Sequence, residues 1–257
     1  NKLTADLLAD ETVLAGPGDD CAVLEIEGQK LLFKTDAIVE GIHFGTEASP
    51  EQVGRKALAR PLSDIAAMGG IPSHALITLG INTNIKEDYI EAVYRGLKNC
   101  AAQYGVNIVG GETTTLPHFT LSVSLLGKVK NPIMRTGSNI GDAIFVSGEL
   151  GGSIAEHHLN FIPRIAESQW LTDSFNIHAM IDLSDGLASD LRHLLTTHTG
   201  AEILASALPI RRAARENAQA NPSSKTALLA ALTDGEDYEL LFTASPKDAI
   251  TVLDEWK

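Results

Sequence analysis

The sequence predicts a mixed α/β or α+β protein, and three observations lead to that prediction. Segments with the apolar pattern of strands alternate with segments of helical periodicity along the 257 residues, which favours sheets layered with helices. Hydrophobic residues make up 44% of the chain and charged residues 21%, as in a globular protein with a sizeable core. The segment "NPIMRTGSNIGD" is dense in Pro, Gly, Ser and Asn, so it is the best candidate for a domain boundary.

Strands are predicted where short apolar runs are bounded by turn residues. The segment "CAVLEIEGQKLLFKTDAIV" indicates two strands around a turn at Glu27, Gly28 and Gln29. Further strands are predicted, in chain order, in "HALITLGI", "VNIV", "HFTLSVSLLGKV", "AIFVSG", "AMIDL" and "YELLFTA".

Helices are predicted where apolar residues recur at helical spacing between start and stop signals. In "SPEQVGRKALARPLSDIAAMGG", Ser49 is the expected N-cap, Pro50 takes the first helical position, and Gln52 completes a capping box. Pro61 should kink or break this helix. The helix in "KEDYIEAVYRGLKNCAAQYG" should end at Gly105. The C-terminal half should contain helices in "GLASDLRHLLTTH" and "SPKDAITVLDEW".

The charge balance limits the class of partner. Lys and Arg number 20 and Asp and Glu number 33, so the formal net charge is −13, a poor match for nucleic acid. The chain has no apolar run long enough to span a membrane, and its start lacks the pattern of a signal peptide. Cys21 and Cys100 have no metal or redox spacing, which indicates buried thiols in a reducing cytoplasm. A phosphorylated small molecule stays compatible with this charge if magnesium supplies the cations.

Acidic residues stand repeatedly at the ends of apolar runs, beside Gly, Ser or Thr, whereas a P-loop motif is absent. Each acid alone is explained by helix capping or turn formation. In "MIDLSDGLASDL", for example, Ser184 is a good N-cap, and the helix start after it would face phosphate. Together, however, carboxylates at converging strand ends suit magnesium, which would bridge the phosphate oxygens of a nucleotide. The acids are Asp19, Asp20, Asp36, Asp64, Glu112, Asp182, Asp185, Glu236 and Asp237.

These motifs, in this order, resemble the thiamine-monophosphate kinase family, whose superfamily also holds aminoimidazole ribonucleotide synthetase, selenophosphate synthetase and the hydrogenase maturation ATPase. The resemblance implies ATP-dependent phosphorylation of thiamine monophosphate to thiamine diphosphate, with several Mg²⁺ ions. It also implies a domain at 1–130 that binds ATP and magnesium, and whose sheet pairs with that of a second subunit into a barrel-like homodimer. A C-terminal α/β domain would follow at 131–257. The matching segments are "GDDCAVL", "TDAIVEGIHF", "SDIAAMGGIP", "IVGGETT", "RTGSNIGDAIFVSGELGGS", "MIDLSDGL" and "GEDYELLFT".

The resemblance also implies roles for residues that match the family motifs. Metal ligands would be Asp20, Asp36, Asp64, Asp182 and Asp185, with Thr35 assisting; Asp36, Asp64 and Asp185 would be the catalytic acids. ATP and its metals would face Gly111, Glu112, Arg135 and Ser184. Tyr94 is a candidate for the adenine side or, equally, a core residue. The thiamine substrate would face His43 and either Glu236 or Asp237.

The chain also departs from the family pattern. Glu112 stands where Asp or Asn is usual, so it either binds a metal or points to solvent, and the stretch from Gly152 to Met180 is shorter than usual. The family chain normally continues well past "GEDYELLFT", so we expect this chain to be truncated at its C-terminal end and to lack part of the thiamine pocket. Two alternatives therefore stay open: an ATP-dependent enzyme of the same superfamily with another acceptor, and a non-catalytic nucleotide-binding homologue.

Overall fold

The computed structural model describes Thr4, Leu7 and residues 10–155, 157–221, 223 and 225–256. The chain forms two compact units, one of Asn1–Ile65 with Gly70–Pro132, the other of Ala66–Gly69 with Ile133–Lys257. Each unit combines a sheet with helices, so the predicted mixed α+β fold is confirmed. Within the described residues, no helix is both long and apolar enough to cross a membrane.

The first unit contains a six-stranded sheet. Its strands are β1 (Val13–Ala15), β2 (Ala22–Ile26), β3 (Gln29–Val39), β4 (Ile71–Ile81), β5 (Asn107–Thr115) and β6 (Thr120–Lys128), and its helices are α1 (Pro50–Ala67) and α2 (Glu87–Tyr104). The strand order is β1-β2-β3-β6-β4-β5, and neighbours are antiparallel except β4 and β5, which are parallel. The parallel pair follows from α2, which returns the chain to the edge at which β4 began.

Side chains alternate between the two faces of this sheet. Leu32 and Val123 are fully buried on one face, whereas Phe33 and Leu76 on the other face are 44% and 48% exposed. The β2–β3 turn lies at the predicted place but has two residues, Glu27 (φ 51°) and Gly28 (φ 76°), as in a two-residue hairpin; Gln29, which was assigned to the turn, is the first residue of β3. The sheet therefore has one face in the core and one face that exposes large apolar side chains.

Helix α1 begins as predicted but does not break as predicted. The Ser49 amide donates to Gln52 Oε1 (3.0 Å), and the Gln52 amide donates to Ser49 Oγ (3.3 Å), which is the capping box. Pro61 lies inside the helix, which continues to Ala67, so the expected break is wrong. Leu58 and Leu62 flank this proline and are fully buried, and their burial offsets the roughly 3 kcal/mol that an internal proline costs.

Helices α1 and α2 touch backbone to backbone through two glycines. A Cβ atom on Gly54 would lie 1.9 Å from the carbonyl oxygen of Val93, and one on Gly96 would lie 2.0 Å from that of Glu51. No side chain fits at either position, so Gly54 and Gly96 set the distance between the helices. Helix α2 ends, as predicted, at Gly105 in the left-handed conformation (φ 67°).

The second unit contains a three-stranded antiparallel sheet in the order β7-β9-β8. The central strand β9 is buried along its whole length, with Phe242 in one hydrophobic cluster and Leu241 in another on the opposite face. The strands are β7 (Ala143–Val146), β8 (Ile177–Asp182) and β9 (Leu240–Ala244). The helices are α3 (His157–Asn160), α4 (Ile165–Ser174), α5 (Leu187–Leu194), α6 (Arg212–Ala220), α7 (Ala227–Thr233) and α8 (Pro246–Glu255), with a short 3₁₀ helix at Ala205–Ala207.

Helices α5 and α8 and all three strands of this unit were predicted, whereas α3, α4, α6 and α7 were not. Ser245 caps α8 as expected, since its Oγ accepts from the amide of Asp248 at 3.3 Å. The missed helices have 4 to 10 residues, and none shows a sustained apolar stripe: α4 buries Ser168 and Leu171, α6 buries Ala214, and α7, "ALLAALT", is apolar at nearly every position.

Candidate active site

Two buried carboxylates lie close together in the first unit. Asp20 precedes β2 and is 1% exposed, Asp64 lies on α1 and is 5% exposed, and a carboxylate oxygen of each lies within 4.8 Å of the other. At that separation like charges repel by on the order of 3 kcal/mol at an effective dielectric near 20. Lys34 on β3 offsets part of this repulsion, because its Nζ donates to Asp64 at 2.6 Å. The pair offers closely spaced hard oxygen ligands of the kind that Mg²⁺ prefers.

Thr35 and Asp36 are adjacent in β3 and therefore point to opposite faces of the sheet. Asp36 shares its face with Lys34, and its Oδ1 lies 3.9 Å from the guanidinium of Arg60 on α1. Thr35 lies on the exposed face, where its Oγ1 accepts from Ser124 Oγ at 3.3 Å. Asp36 therefore lies on the same face of the sheet as Lys34, the partner of Asp64, whereas Thr35 lies on the opposite face.

Gly111 and Glu112 lie on β5, the edge strand beside β4. A Cβ atom on Gly111 would lie 1.8 Å from the carbonyl oxygen of Ile77, so the packing of the two strands already requires glycine here. Glu112 pairs with Thr78 and is exposed, so its carboxylate can extend away from the sheet. Both predicted roles of Glu112, metal ligand and solvated side chain, are compatible with this position.

Tyr94 lies on the outer side of α2. The buried residues of this helix are Ala92, Val93, Gly96, Leu97, Cys100 and Ala101, and Tyr94 is only half-buried. Its side chain lines an open groove of about 750 Å³ together with Ile90, Arg95 and Lys98. Glu87 and Glu91 line the same groove, so its charge is balanced, and the two alternatives for Tyr94, the adenine side and a core position, both stay predictions.

His43 is held by contacts on both its ring and its backbone. Its Nδ1 accepts from the amide of Val39 at 3.0 Å, so the proton of the neutral imidazole is on Nε2. Its carbonyl oxygen accepts from Lys56 Nζ at 2.6 Å, and Lys56 is fully buried. The loop that carries His43 is therefore fixed to α1 by a buried cation.

In the second unit, the segment "DLSDG" connects β8 to α5. Asp182 is the last residue of β8 and is 4% exposed. The helix begins at Leu187 with Gly186 (φ 102°) as its N-cap, so the predicted N-cap role of Ser184 is wrong. Ser184 is held elsewhere, because its carbonyl oxygen accepts from the amide of Glu236 at 2.8 Å.

The amides just before α5 are already bonded within the protein. The Oδ2 atom of Asp190 accepts from the amides of Asp185 (3.0 Å) and Gly186 (3.1 Å), so these two amides are not directed at a ligand, while the expectation that the start of the helix faces a phosphate stays a prediction. Burial raises the pKa of Asp190 to about 7, and the charges of Asp182 and Asp185 act in the same direction. Asp190 was not identified from the sequence as a site residue. The feature that could have indicated it is its position four residues after Gly186, from which its side chain can reach the amides before the helix.

The "DLSDG" segment lies beside the turn that precedes β9. The amide of Leu183 donates to the carbonyl of Glu239, and the amide of Tyr238 donates to the carbonyl of Leu183, both at 2.8 Å. With the Glu236–Ser184 bond, these contacts extend the β8–β9 ladder beyond the ends of both strands. The segment "GEDYE" (235–239), hereafter the acidic turn, is thereby placed next to Asp182 and Asp185.

The two candidates for the thiamine side lie in this turn but have different surroundings. Glu236 is in the left-handed conformation (φ 62°), and its side chain is 23% exposed. Asp237 is fully buried; its Oδ1 accepts from Arg211 (2.7 Å) and from the amide of Gly151 (3.0 Å). Burial raises the pKa of Asp237 to about 6, and Arg211 opposes that rise. Glu236 therefore has the carboxylate that can reach a substrate.

Arg135 lies half-buried in the segment that connects β6 to β7.

Comparisons with known proteins were made for the whole chain. A family model described as AIR synthase related protein, N-terminal domain, matches residues 18–129. The thiamine-monophosphate kinase of Rhodopirellula baltica is 39% identical over 251 residues, which cover 93% of this chain and 79% of that protein. The thiamine-monophosphate kinase of Aquifex aeolicus is 34% identical over 252 residues, which cover 90% of this chain and 81% of that protein.

Solved structures are also similar. AaThiL complexed with AMPPCP and TMP matches with a TM-score of 0.82 and 32% identity, over 93% of this chain and 81% of that one. The thiamine-monophosphate kinase of Stenotrophomonas maltophilia K279a matches with a TM-score of 0.78 and 32% identity, over 99% and 88%. Hydrogenase maturation protein HypE in complex with ATP, at 19% identity and a TM-score of 0.74 over 99% and 81%, shares the two-domain fold.

Proposed function

The chain belongs to the thiamine-monophosphate kinase family, and from that premise we propose that it transfers a phosphoryl group from ATP to thiamine monophosphate, forming thiamine diphosphate. The observation that carries the proposal is the ladder contact between "DLSDG" and the acidic turn. It places the predicted metal ligands Asp182 and Asp185 beside Glu236, the predicted thiamine contact. A kinase needs these two kinds of group next to each other, because phosphoryl transfer depends on positioning and charge stabilisation.

Magnesium fits the residues that are present. In the first unit Asp20, Asp36 and Asp64 offer carboxylate oxygens, and in the second Asp182 and Asp185 do so. Thr35 and Glu112 lie on the opposite, exposed face of the six-stranded sheet, so either would serve only a metal bound on that face. The closeness of Asp20 and Asp64 supports this assignment, since two buried carboxylates with oxygens within 4.8 Å of each other repel, and a divalent cation would offset that repulsion. Bound Mg²⁺ would neutralise the charge that develops on phosphate oxygens. Asp36, Asp64 and Asp185 are the acids to which we assign catalytic roles.

We propose direct in-line transfer without a phosphoenzyme. Both substrates carry phosphate, so the acceptor oxygen needs no strong base. The nucleotide would contact Tyr94, Gly111, Arg135 and Ser184, and thiamine would contact His43 and Glu236. Radioactive γ-phosphate trapped on the protein in the absence of acceptor would contradict this path.

A homodimer is supported by the exposed face of the six-stranded sheet. Phe33 and Leu76 are large apolar side chains on that face, and Thr35 lies among them. A second copy would cover them by pairing its own sheet into a barrel, with 1–130 as the domain for ATP, magnesium and dimerisation and 131–257 as the C-terminal α/β domain. Sedimentation at micromolar concentration should give twice the 27.3 kDa chain mass; a stable monomer would reject the dimer.

A cytoplasmic location fits the buried thiols of Cys21 and Cys100.

The function is tested by identifying the product. The protein is incubated with ATP, Mg²⁺ and a panel of phosphorylated acceptors, and mass spectrometry should detect thiamine diphosphate from thiamine monophosphate. Turnover with another acceptor only would indicate a sibling enzyme of the superfamily. ATP binding without turnover of any acceptor would indicate a non-catalytic homologue.

A further inference from the structure

The Glu236 carboxylate is held at both of its oxygens. His158 Nδ1 lies 3.2 Å from Glu236 Oε2, and the Tyr238 hydroxyl donates to Glu236 Oε1 at 3.3 Å. An ionised carboxylate can only accept hydrogen bonds, so Nδ1 is the ring nitrogen of His158 that carries the proton in this contact. Two donors from different elements thus fix a side chain that otherwise rotates about three bonds.

The groups that hold Glu236 are themselves firmly placed. His158 is 3% exposed, and its amide donates to the carbonyl of Ser153 at 2.9 Å. Phe161, three residues further on, stacks on the ring of Tyr238 with a centroid distance of 3.9 Å. The segment that begins with α3 therefore contacts the acidic turn through His158 and Phe161, and also through His157, whose Nε2 lies 2.9 Å from the carbonyl oxygen of Asp237.

Backbone strain marks the same turn. Both Glu236 (φ 62°) and Tyr238 (φ 52°) are non-glycine residues in the left-handed region, which costs on the order of 1 kcal/mol each. The packing against His158 and Phe161, together with the ladder to Leu183, stabilises this conformation. A strained turn held from two sides is typical of a segment that presents one side chain in a defined direction.

We propose that His158 is a positioning residue for substrate recognition: it orients the Glu236 carboxylate, with Tyr238, so that the carboxylate meets the cationic thiazolium and amino-pyrimidine part of thiamine monophosphate. This inference rests on the proposed function. His158 does not touch substrate and acts through Glu236. A carboxylate oriented before binding loses less entropy when the substrate arrives.

The test compares two substitutions of His158 in the intact protein. His158→Phe keeps a planar ring but removes the donor, and it should raise KM for thiamine monophosphate about tenfold while KM for ATP stays within twofold. His158→Asn places an amide nitrogen near the position of Nδ1 and should restore KM to within about threefold of wild type. His193→Phe, at an exposed histidine near the end of α5, is the matched control and should leave both constants unchanged.

A double-mutant cycle with Glu236→Gln separates the possible outcomes. If His158 acts through Glu236, the effects of His158→Phe and Glu236→Gln on KM will not add. If Glu236→Gln raises KM and His158→Phe does not, the positioning role is overturned and the proposed function stands. Equal losses for ATP and thiamine monophosphate in His158→Phe, without rescue by Asn, would show a purely structural histidine and also overturn it. Absence of thiamine diphosphate with the wild type would instead reject the proposed function.

Discussion

Two groups of acids, one in each unit, are accommodated in different ways. In the first unit cationic side chains face the carboxylates: Lys34 donates to Asp64, and Arg60 lies near Asp36. In the second unit backbone amides face a buried carboxylate, as when Asp185 and Gly186 donate to Asp190. A lysine side chain can swing away from a carboxylate, whereas amides at the start of a helix cannot. The first arrangement is therefore adjustable, and the second is fixed by the fold.

The largest expected effect tests whether both arrangements serve one reaction. Asp64→Asn and Asp185→Asn should each lower turnover about a thousandfold, equivalent to about 4 kcal/mol of transition-state stabilisation, because each removes a proposed metal ligand. Both variants should also weaken magnesium-dependent ATP binding in calorimetry. Asp88→Asn, at an exposed acid in the first turn of α2, is the control. Loss of activity in the Asp185 variant alone would show that the acids of the first unit are structural.

The second unit also contains buried acids that have cationic partners, since Arg211 pairs with Asp237 and Arg164 with Glu239, and removal of Arg211 sharpens the comparison. Arg211→Met leaves Asp237 buried without its guanidinium, so the free energy of unfolding should fall by about 3 kcal/mol. Arg212→Met is a matched control at the adjacent residue, because the Arg212 side chain is 87% exposed and its pairing with Glu216 should contribute little. Urea unfolding measures both. Equal losses for the two variants would show that burial of Asp237 does not determine the effect.

Lys34 provides a test of the adjustable arrangement. Lys34→Met removes the ammonium that donates to Asp64, so the variant should lose stability in a chelator and regain it on addition of Mg²⁺. The rise in melting temperature caused by millimolar Mg²⁺ should exceed that of the wild type by a few degrees, because a ligand that binds only the folded state stabilises it. Lys128→Met, at an exposed lysine at the end of β6, is the control. An identical magnesium response in both variants would argue against a metal at this pair.

The smallest expected effect is a dependence of stability on pH. The pKa of Asp237 is about 6 when folded, above its unfolded value of 3.8, so the proton is bound more tightly in the folded state. The stabilisation is therefore present at low pH and is lost as the pH rises through 6. From pH 7 to pH 5 the wild type should gain about 1 kcal/mol relative to Asp237→Asn in urea unfolding.

The control for this pH dependence is Asp254→Asn, at an exposed carboxylate, which should keep the wild-type behaviour. A difference between wild type and Asp237→Asn that stays constant from pH 7 to pH 5 would show that Asp237 does not titrate in this range.

The two helix starts show what could be predicted from the sequence and what could not. Ser49 and Gln52 form the predicted capping box, because both partners lie within four residues of each other. Ser184 has an equally good local pattern, but the ladder to Glu236 holds it outside α5. That contact joins residues 52 positions apart, so a local pattern could not indicate it. The amides of Asp185 and Gly186, which follow Ser184 in the chain, donate instead to the carboxylate of Asp190.

The same distinction holds for the candidate site. The acids at strand ends were identifiable as a group, and the buried closeness of Asp20 and Asp64 agrees with that prediction. The sequence could not show which of Glu236 and Asp237 faces the substrate, because the two acids are neighbours in the same motif and differ only in the burial of their side chains. His158 had no motif at all, since it contacts Glu236 across 78 positions of the chain.

The extended ladder at Leu183 has a consequence for how two ligands would influence each other. Leu183 bonds to the acidic turn through both its amide and its carbonyl, so "DLSDG" and the turn cannot shift independently. In a kinase that binds metal–nucleotide at one segment and the thiamine ester at the other, the first ligand to bind would order both segments. The second ligand would then lose less conformational entropy on binding. By linkage, each ligand raises the binding affinity of the other by the same factor. Such cooperativity would make ADP leave more slowly while thiamine diphosphate stays bound.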